Sequence, residues 1–484
     1  MTVRNVEPLS LWNHFADLNE VPRPSKKEER VIEFMMNFGK SLDLETLKDE
    51  IGNVIIRKPA SPGMEDRKIV ILQSHLDMVH QKNRETEFDF DKEGIKMRVN
   101  GDWIDADGTT LGADNGIGVA TIMATLSATD IDHPALEAFF TVDEETGMTG
   151  AKEMDGTMFQ GEILLNLDTE DDDELSIGCA GGIDTNTEYN YQEEELSGNR
   201  KTIQLNIKGL LGGHSGMDID SGRGNANKWL TRILWSISQN IELNIISFDG
   251  GGLRNAIPRE ASCVISIFSE DAHQLNNIVQ EMTKTLKDEY KSIETNLDIS
   301  FTEVASIEKG ASLKESQKII NTLAAVHNGV FRMSPDIEGL VESSSSLARV
   351  EMGNGRFITQ SLQRSSVNTT RDEVAMTIKA CFENMGCEVV QSGEYPGWQP
   401  NPNSKILDIM EKLYKTMFQE NPQVKACHAG LECGILGEHL PDVDMISFGP
   451  NIRAAHSPDE KVQISSVQKF WKFYLETLKS IPLK

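Results

Sequence analysis

Apolar positions along this chain follow two rhythms. Spacing of three to four residues predicts helices over 9–19, 26–42, 114–126, 225–239, 272–293, 313–327, 372–385 and 464–481. Short alternating or continuous apolar runs predict strands at 53–57, 68–72, 135–142, 162–167, 201–208, 241–248, 261–268, 298–304, 339–351, 355–364, 387–391 and 443–448. Up to Gly178-Cys-Ala-Gly-Gly-Ile183 the order reads as an α/β sheet domain with connecting helices. From there a helix and strand order occurs twice, without sequence identity between the halves. The linker Tyr395-Pro-Gly-Trp-Gln-Pro-Asn-Pro402 ends that region, and the last strand and helix return to the first pattern. The expected organisation is α/β: a mixed sheet flanked by helices in a discontinuous domain, 1–183 and 398–484, with an inserted α+β domain of two similar halves at 184–397.

The polar residues that interrupt this pattern stand at strand ends. Asp143, Glu144 and Glu145 follow the apolar run 135–142, and Asp168 ends Leu164-Leu-Asn-Leu. Adjacent carboxylates at a strand terminus repel one another unless a cation or a shared proton offsets the charge. His75-Leu-Asp77 follows the run 68–73; the aspartate can orient the imidazole and leave its second nitrogen for a metal. Gly112-Ala-Asp-Asn-Gly-Ile-Gly118 opens a helix, where Asp114 either caps the first turn or bridges two cations. His456, in Ala454-Ala-His-Ser-Pro-Asp-Glu460, fits a surface loop as well as a metal ligand. In the neighbouring acids one can bind metal while the other removes a proton from water, the division that metal-assisted hydrolysis requires.

Composition narrows the class. The chain has 484 residues, 38% hydrophobic and 25% charged, enough for two or more domains. Its 47 basic against 76 acidic residues give a net charge of −29, which argues against a nucleic-acid partner. No apolar stretch is long enough to span a bilayer and the first residues do not read as a signal peptide, so no membrane partner is expected. Six scattered cysteines without a CxxC motif fit free thiols in a reducing cytoplasm.

Ser74-His-Leu-Asp77, Gly112-Ala-Asp-Asn115, Asp143-Glu-Glu-Thr-Gly147, Asn166-Leu-Asp168 and Ala455-His-Ser457, in this order, resemble the di-zinc metallopeptidases that include aminoacylases, succinyl-diaminopimelate desuccinylase and bacterial dipeptidases. The likeness runs from Val21-Pro-Arg-Pro-Ser25 to the last helix. It implies that His75, Glu145, Asp168, His456 and a bridging Asp114 ligate two zinc ions, with cobalt or manganese as substitutes. It further implies Glu144 as general base, Asp77 as the residue orienting His75, and a cis peptide at Asp114–Asn115. Gly212-Gly-His-Ser-Gly216 resembles the family's lid motif, which gives His214 the role of stabilising the oxyanion. Gly250-Gly-Gly-Leu-Arg-Asn-Ala-Ile-Pro258 implies Asn255 as a substrate contact, and His428-Ala-Gly-Leu-Glu432 implies Gly430 as another. Arg364, leaving a strand, suits a terminal carboxylate, although a surface arginine fits the same pattern.

Asp at 168 and the long insert resemble the dipeptidase branch, and Gln73-Ser-His-Leu-Asp-Met-Val-His-Gln81 with His428-Ala-Gly-Leu-Glu-Cys-Gly434 resemble its Xaa-His-cleaving members, which implies Xaa-His and related dipeptides of the carnosine type as substrates. The doubled insert removes one need for dimerisation, and a homodimer is compatible with it. Two alternatives stand beside the dipeptidase reading: an amidohydrolase of N-acyl amino acids from the same family, and a non-catalytic acidic metal-binding protein.

Overall fold

The apolar runs that precede the acids form the middle of one sheet. Its eight strands lie in the order Glu45–Lys48, Val54–Lys58, Leu136–Thr141, Val70–His75, Ile163–Asn166, Asp444–Ser447, Glu174–Cys179 and Gln423–Cys427. Val70–His75 pairs in parallel with Leu136–Thr141 and with Ile163–Asn166, which pairs in parallel with Asp444–Ser447. All residues of the first three of these strands are buried, as expected for a parallel core covered on both faces. Parallel strands end on one edge of a sheet, where α/β folds place their ligands. The ladder sets His75 opposite Thr141 and Gln73 opposite Asn166, so the residues just beyond leave the sheet together.

The computed structural model describes residues 2–484, which fold as two units. The first comprises residues up to 178, 400–426 and 431–484; the second comprises 179–399 and 427–430. In the first unit the helix Ala113–Ser127 is buried almost all round, in line with its nearly uninterrupted small and apolar sequence. It packs on the strand Val70–His75 and against the helix Leu9–Asn19. A four-stranded sheet pairs Ile452–Arg453 with Lys461–Gln463, then Trp103–Ala106, then Met97–Asn100. The loop of the first pair carries His456.

The second unit is built on a nine-stranded antiparallel sheet. Asp298–Val304, Arg200–Lys208, Ala261–Phe268 and Leu243–Gly251 form one side, in that order. Val341–Gly353, Arg356–Ser365, Gly181–Asn190 and Glu388–Tyr395 continue it, and Gly329–Met333 pairs with Val341–Gly353. The two sequence halves therefore share one sheet, joined where Leu243–Gly251 meets Val341–Gly353. The helices Ala226–Ser238, Ala272–Glu289, Leu313–Ala325 and Asn368–Met385 supply the other side of its core. Asn225 and Ser312 cap two of them through their side chains.

Most helices and long strands fall where the apolar spacing places them, within a few residues, but the strand Gly181–Asn190 and the helix Lys405–Phe418 were not placed by it. Glu45–Lys48, Met97–Asn100 and Trp103–Ala106 carry no such signal, being short and partly exposed. Segment 427–430 joins the second unit although the sequence around it shows no break in composition. Among the described residues no helix is long and apolar enough to cross a membrane.

Candidate metal centre

Strand ends and two loops of the first unit bring His75, Asp114, Glu144, Glu145, Asp168 and His456 together. His75, Asp114 and Asp168 each offer an atom within 4.8 Å of the others, and so do Asp114, Glu145 and His456. The two triads share Asp114, whose oxygens divide between them. Oδ1 lies 3.2 Å from His75 Nε2, and Oδ2 lies 3.1 Å from His456 Nε2. Asp168 Oδ1 approaches His75 Nε2 at 3.6 Å, and Glu145 Oε2 approaches His456 Nε2 at 2.9 Å. A third triad, His75, Glu144 and Glu145, places Glu144 beside the pair.

The charges reflect this crowding. Burial opposes charge on His75, but Asp168, Asp114 and Asp77 outweigh it and hold its pKa well above the ordinary value. Hydrogen bonds to Asp114 and Glu145 push the half-exposed His456 up to about 11. Burial raises Glu144 and Asp168 well above the carboxylate range; His75 counters it, and neighbouring acids add to it. Asp114 goes the other way: burial works against its charge, yet the two histidines hold its pKa far down. Without metal the cluster holds protons that a cation has to displace.

Asp77 fixes more than one neighbour. The strand ends at His75, so Asp77 lies beyond it, and His75 Nδ1 is 3.1 Å from the Asp77 backbone carbonyl and 3.4 Å from its carboxylate. That carboxylate also accepts the backbone N–H groups of Glu144 and Glu145, at 3.0 and 3.2 Å, and the Ser25 hydroxyl at 2.8 Å. The orienting contact expected for His75 is thus shared with the turn carrying the acids. Asp143 faces away from the cluster: it accepts the hydroxyls of Thr146 and Thr149 and holds the turn at a φ of 55°. Asn115 follows the cis peptide at Asp114–Asn115 and donates to the Leu167 carbonyl and to Asp168.

Two supporting residues escaped the sequence reading. Glu460 is 2% exposed and accepts the backbone N–H groups of Leu111, Gly112, Ala113 and Asp114, which seats the turn presenting Asp114. Arg23 is buried and donates to the carbonyls of Leu76, Asp77 and Gly112 and to Asn19. It ties the end of the His75 strand to the same turn. The available signals were an acid four residues after His456 and a lone arginine between two prolines, neither of which says what it binds.

The other candidates lie in the second unit. His214 Nδ1 accepts the backbone N–H of Gly216 at 3.2 Å and of Met217 at 3.0 Å. Its Nε2 is 3.5 Å from Arg364 Nη2. Arg364 is 4% exposed, which excludes the surface alternative, and its Nη1 donates to the Tyr395 hydroxyl at 2.8 Å. Asn255 is exposed, and its carbonyl accepts the N–H of Ser215, so its loop pairs with that of His214. Gly430 closes segment 427–430.

Acids and imidazoles converging on the C-terminal edge of parallel strands define an α/β protein built for metal-assisted chemistry. The chain belongs to peptidase family M20/M25/M40, whose family model matches residues 71–480. It is 40% identical over 479 residues, 99% of both chains, to the cytosol non-specific dipeptidase of Escherichia coli (strain K12). The crystal structure of aminoacylhistidine dipeptidase from Vibrio alginolyticus superposes with a TM-score of 0.96 at 40% identity, covering 100% of this chain and 99% of that one. An aminopeptidase from Bacillus cereus gives a TM-score of 0.57 at 15% identity, covering 98% and 99% of the two chains, a likeness of fold alone.

Proposed function

We propose that this peptidase is a metal-dependent dipeptidase that hydrolyses Xaa-His and related dipeptides in the cytoplasm. The observation that carries the reading is the pair of triads sharing Asp114, with Glu144 beside them. The names of the Escherichia coli and Vibrio relatives support the substrate class. The first of those names supports the compartment.

The donor set fits two divalent cations. His75, Asp114 and Asp168 would hold one, and Asp114, Glu145 and His456 the other, Asp114 being common to both sets. Glu145 Oε1 is buried without a hydrogen-bond partner, which suits an oxygen reserved for a cation. Two imidazoles with three carboxylates favour zinc, and admit cobalt or manganese. Bound there, such cations would supply acidification of water and polarisation of a carbonyl. Glu144 takes the proton of the attacking water and returns it to the leaving amine. Asp77 keeps His75 and the Glu144 turn in register. In the second unit His214 serves the developing oxyanion, while Arg364, Asn255 and Gly430 serve the dipeptide's main chain and terminal carboxylate.

The test is a panel of Xaa-His, Xaa-non-His and N-acetylated dipeptides, assayed before and after chelation and after zinc or cobalt restoration. Turnover of free dipeptides that vanishes on chelation and returns with metal is expected. Preference for N-acetylated substrates, or metal binding without hydrolysis, would overturn the reading.

A further inference from the structure

His428 is a buried residue of the second unit that the proposed mechanism leaves without a task. It is 7% exposed, and its Nε2 lies 2.8 Å from Ser344 Oγ. The ring also hydrogen-bonds the Val341 backbone carbonyl. A carbonyl only accepts, so the ring donates there and takes the Ser344 proton at Nε2. Burial, with Arg364 and His214 adding, pushes its pKa down to about 3, so the imidazole stays neutral.

Three segments meet at this residue. Ser344 stands opposite Arg364 in the strand ladder. A Cβ at Gly216 would come 2.0 Å from the His428 carbonyl oxygen and 3.1 Å from Arg364 Cδ and Nε, so the loop of His214 rests on both residues. Gly430 follows two residues after His428. Arg364 Nε is buried without a partner. A guanidinium with an unmatched buried donor is completed by an anionic acceptor, and neutral histidines around it leave its charge for that acceptor.

We infer that His428 is a positioning residue: through Ser344 and the Gly216 contact it sets the spacing of Arg364, His214 and Gly430, and so fixes the seat for a substrate's terminal carboxylate. The inference rests on the dipeptidase reading and deepens it. The locked ring joins the segment carrying Gly430 to the strands carrying Arg364.

The experiment compares one dipeptide with its C-terminal amide in the wild type and in His428→Leu, His428→Gln and Ser344→Ala. The wild type is expected to favour the free carboxylate. His428→Leu should raise KM for the free dipeptide about tenfold, the cost of one buried hydrogen bond, with a smaller change in kcat. It should lose less on the amide, so the preference collapses. His428→Gln, whose amide oxygen can take the Ser344 proton, should recover most of that preference, and Ser344→Ala should fall between. Circular dichroism establishes that each variant is folded; if His428→Leu does not fold, Ser344→Ala and His428→Gln carry the comparison. An unchanged preference in the folded variants, or none in a wild type that cleaves both substrates, overturns the inference and leaves the dipeptidase reading standing. A wild type that cleaves neither substrate sinks both.

Discussion

The Asp77 carboxylate accepts the backbone N–H of Glu144 at 3.0 Å. The residue expected to serve His75 alone therefore also sets the turn from which Glu144 and Glu145 leave their strand. Replacing it disturbs both sides of the cluster. Asp77→Ala should weaken metal affinity by about ten- to a hundredfold, the range found when partners of metal-binding histidines are removed. Competition with a fluorescent chelator measures this, and affinity within twofold of the wild type would contradict the account.

Glu144 stands beside both triads and is proposed for proton transfer. Glu144→Gln keeps the shape and removes the base. It should lower kcat by roughly a hundredfold to ten-thousandfold. Metal content, read by mass spectrometry or atomic absorption, should stay at two ions per chain. Near-normal turnover with both ions bound would remove Glu144 from its role.

Metal binding should depend on pH through His456. Asp114 and Glu145 push its pKa up to about 11, so the metal-free protein carries a proton on this ring throughout the neutral range. A cation has to expel that proton, so the sign is fixed: affinity falls as pH is lowered and rises towards 11. Between pH 8 and pH 6 each proton displaced should weaken binding about tenfold per pH unit. Calorimetry in buffers of different ionisation enthalpy counts the protons, and a pH-independent affinity would refute the coupling.

Asp143 is expected to affect stability more than chemistry. Its carboxylate accepts two threonine hydroxyls inside its own turn, and its backbone sits at a φ of 55°. Asp143→Ala loses both acceptors and places alanine in the left-handed region. A cost of about 2 kcal/mol follows from the loss of hydrogen bonds to a charged group. A lowered urea midpoint with metal affinity reduced less than in Asp77→Ala is the expected pair of results.

The parts of the site that lie at strand ends were legible because burial writes itself as apolar runs. An acid that terminates such a run, as Asp168 does after Leu164-Leu-Asn-Leu, stands out against them. Glu460 and Arg23 gave no comparable signal. Both act on backbone groups far away in sequence, and a backbone carbonyl or N–H leaves no trace in residue identity. Asp143 was legible as a member of the triplet, but the two threonine hydroxyls it accepts were not, since their approach depends on a single positive φ. The fold was readable in most of its long elements, though not in the strand Gly181–Asn190. The shared sheet of the second unit was not, because the pairing of Leu243–Gly251 with Val341–Gly353 joins segments with no sequence feature in common.

The passage of residues 427–430 into the second unit has a consequence for anyone wishing to take the protein apart. A single cut at each end of 179–399 does not release an independent module. The excised piece would lack His428, leaving Ser344 with an unused proton and Gly216 without the carbonyl it rests on. The remainder would carry a histidine segment shaped for a surface no longer present. In topological terms the second unit is threaded twice by the chain, and a circular permutation opened between 426 and 431 would break it as surely as one opened inside its sheet.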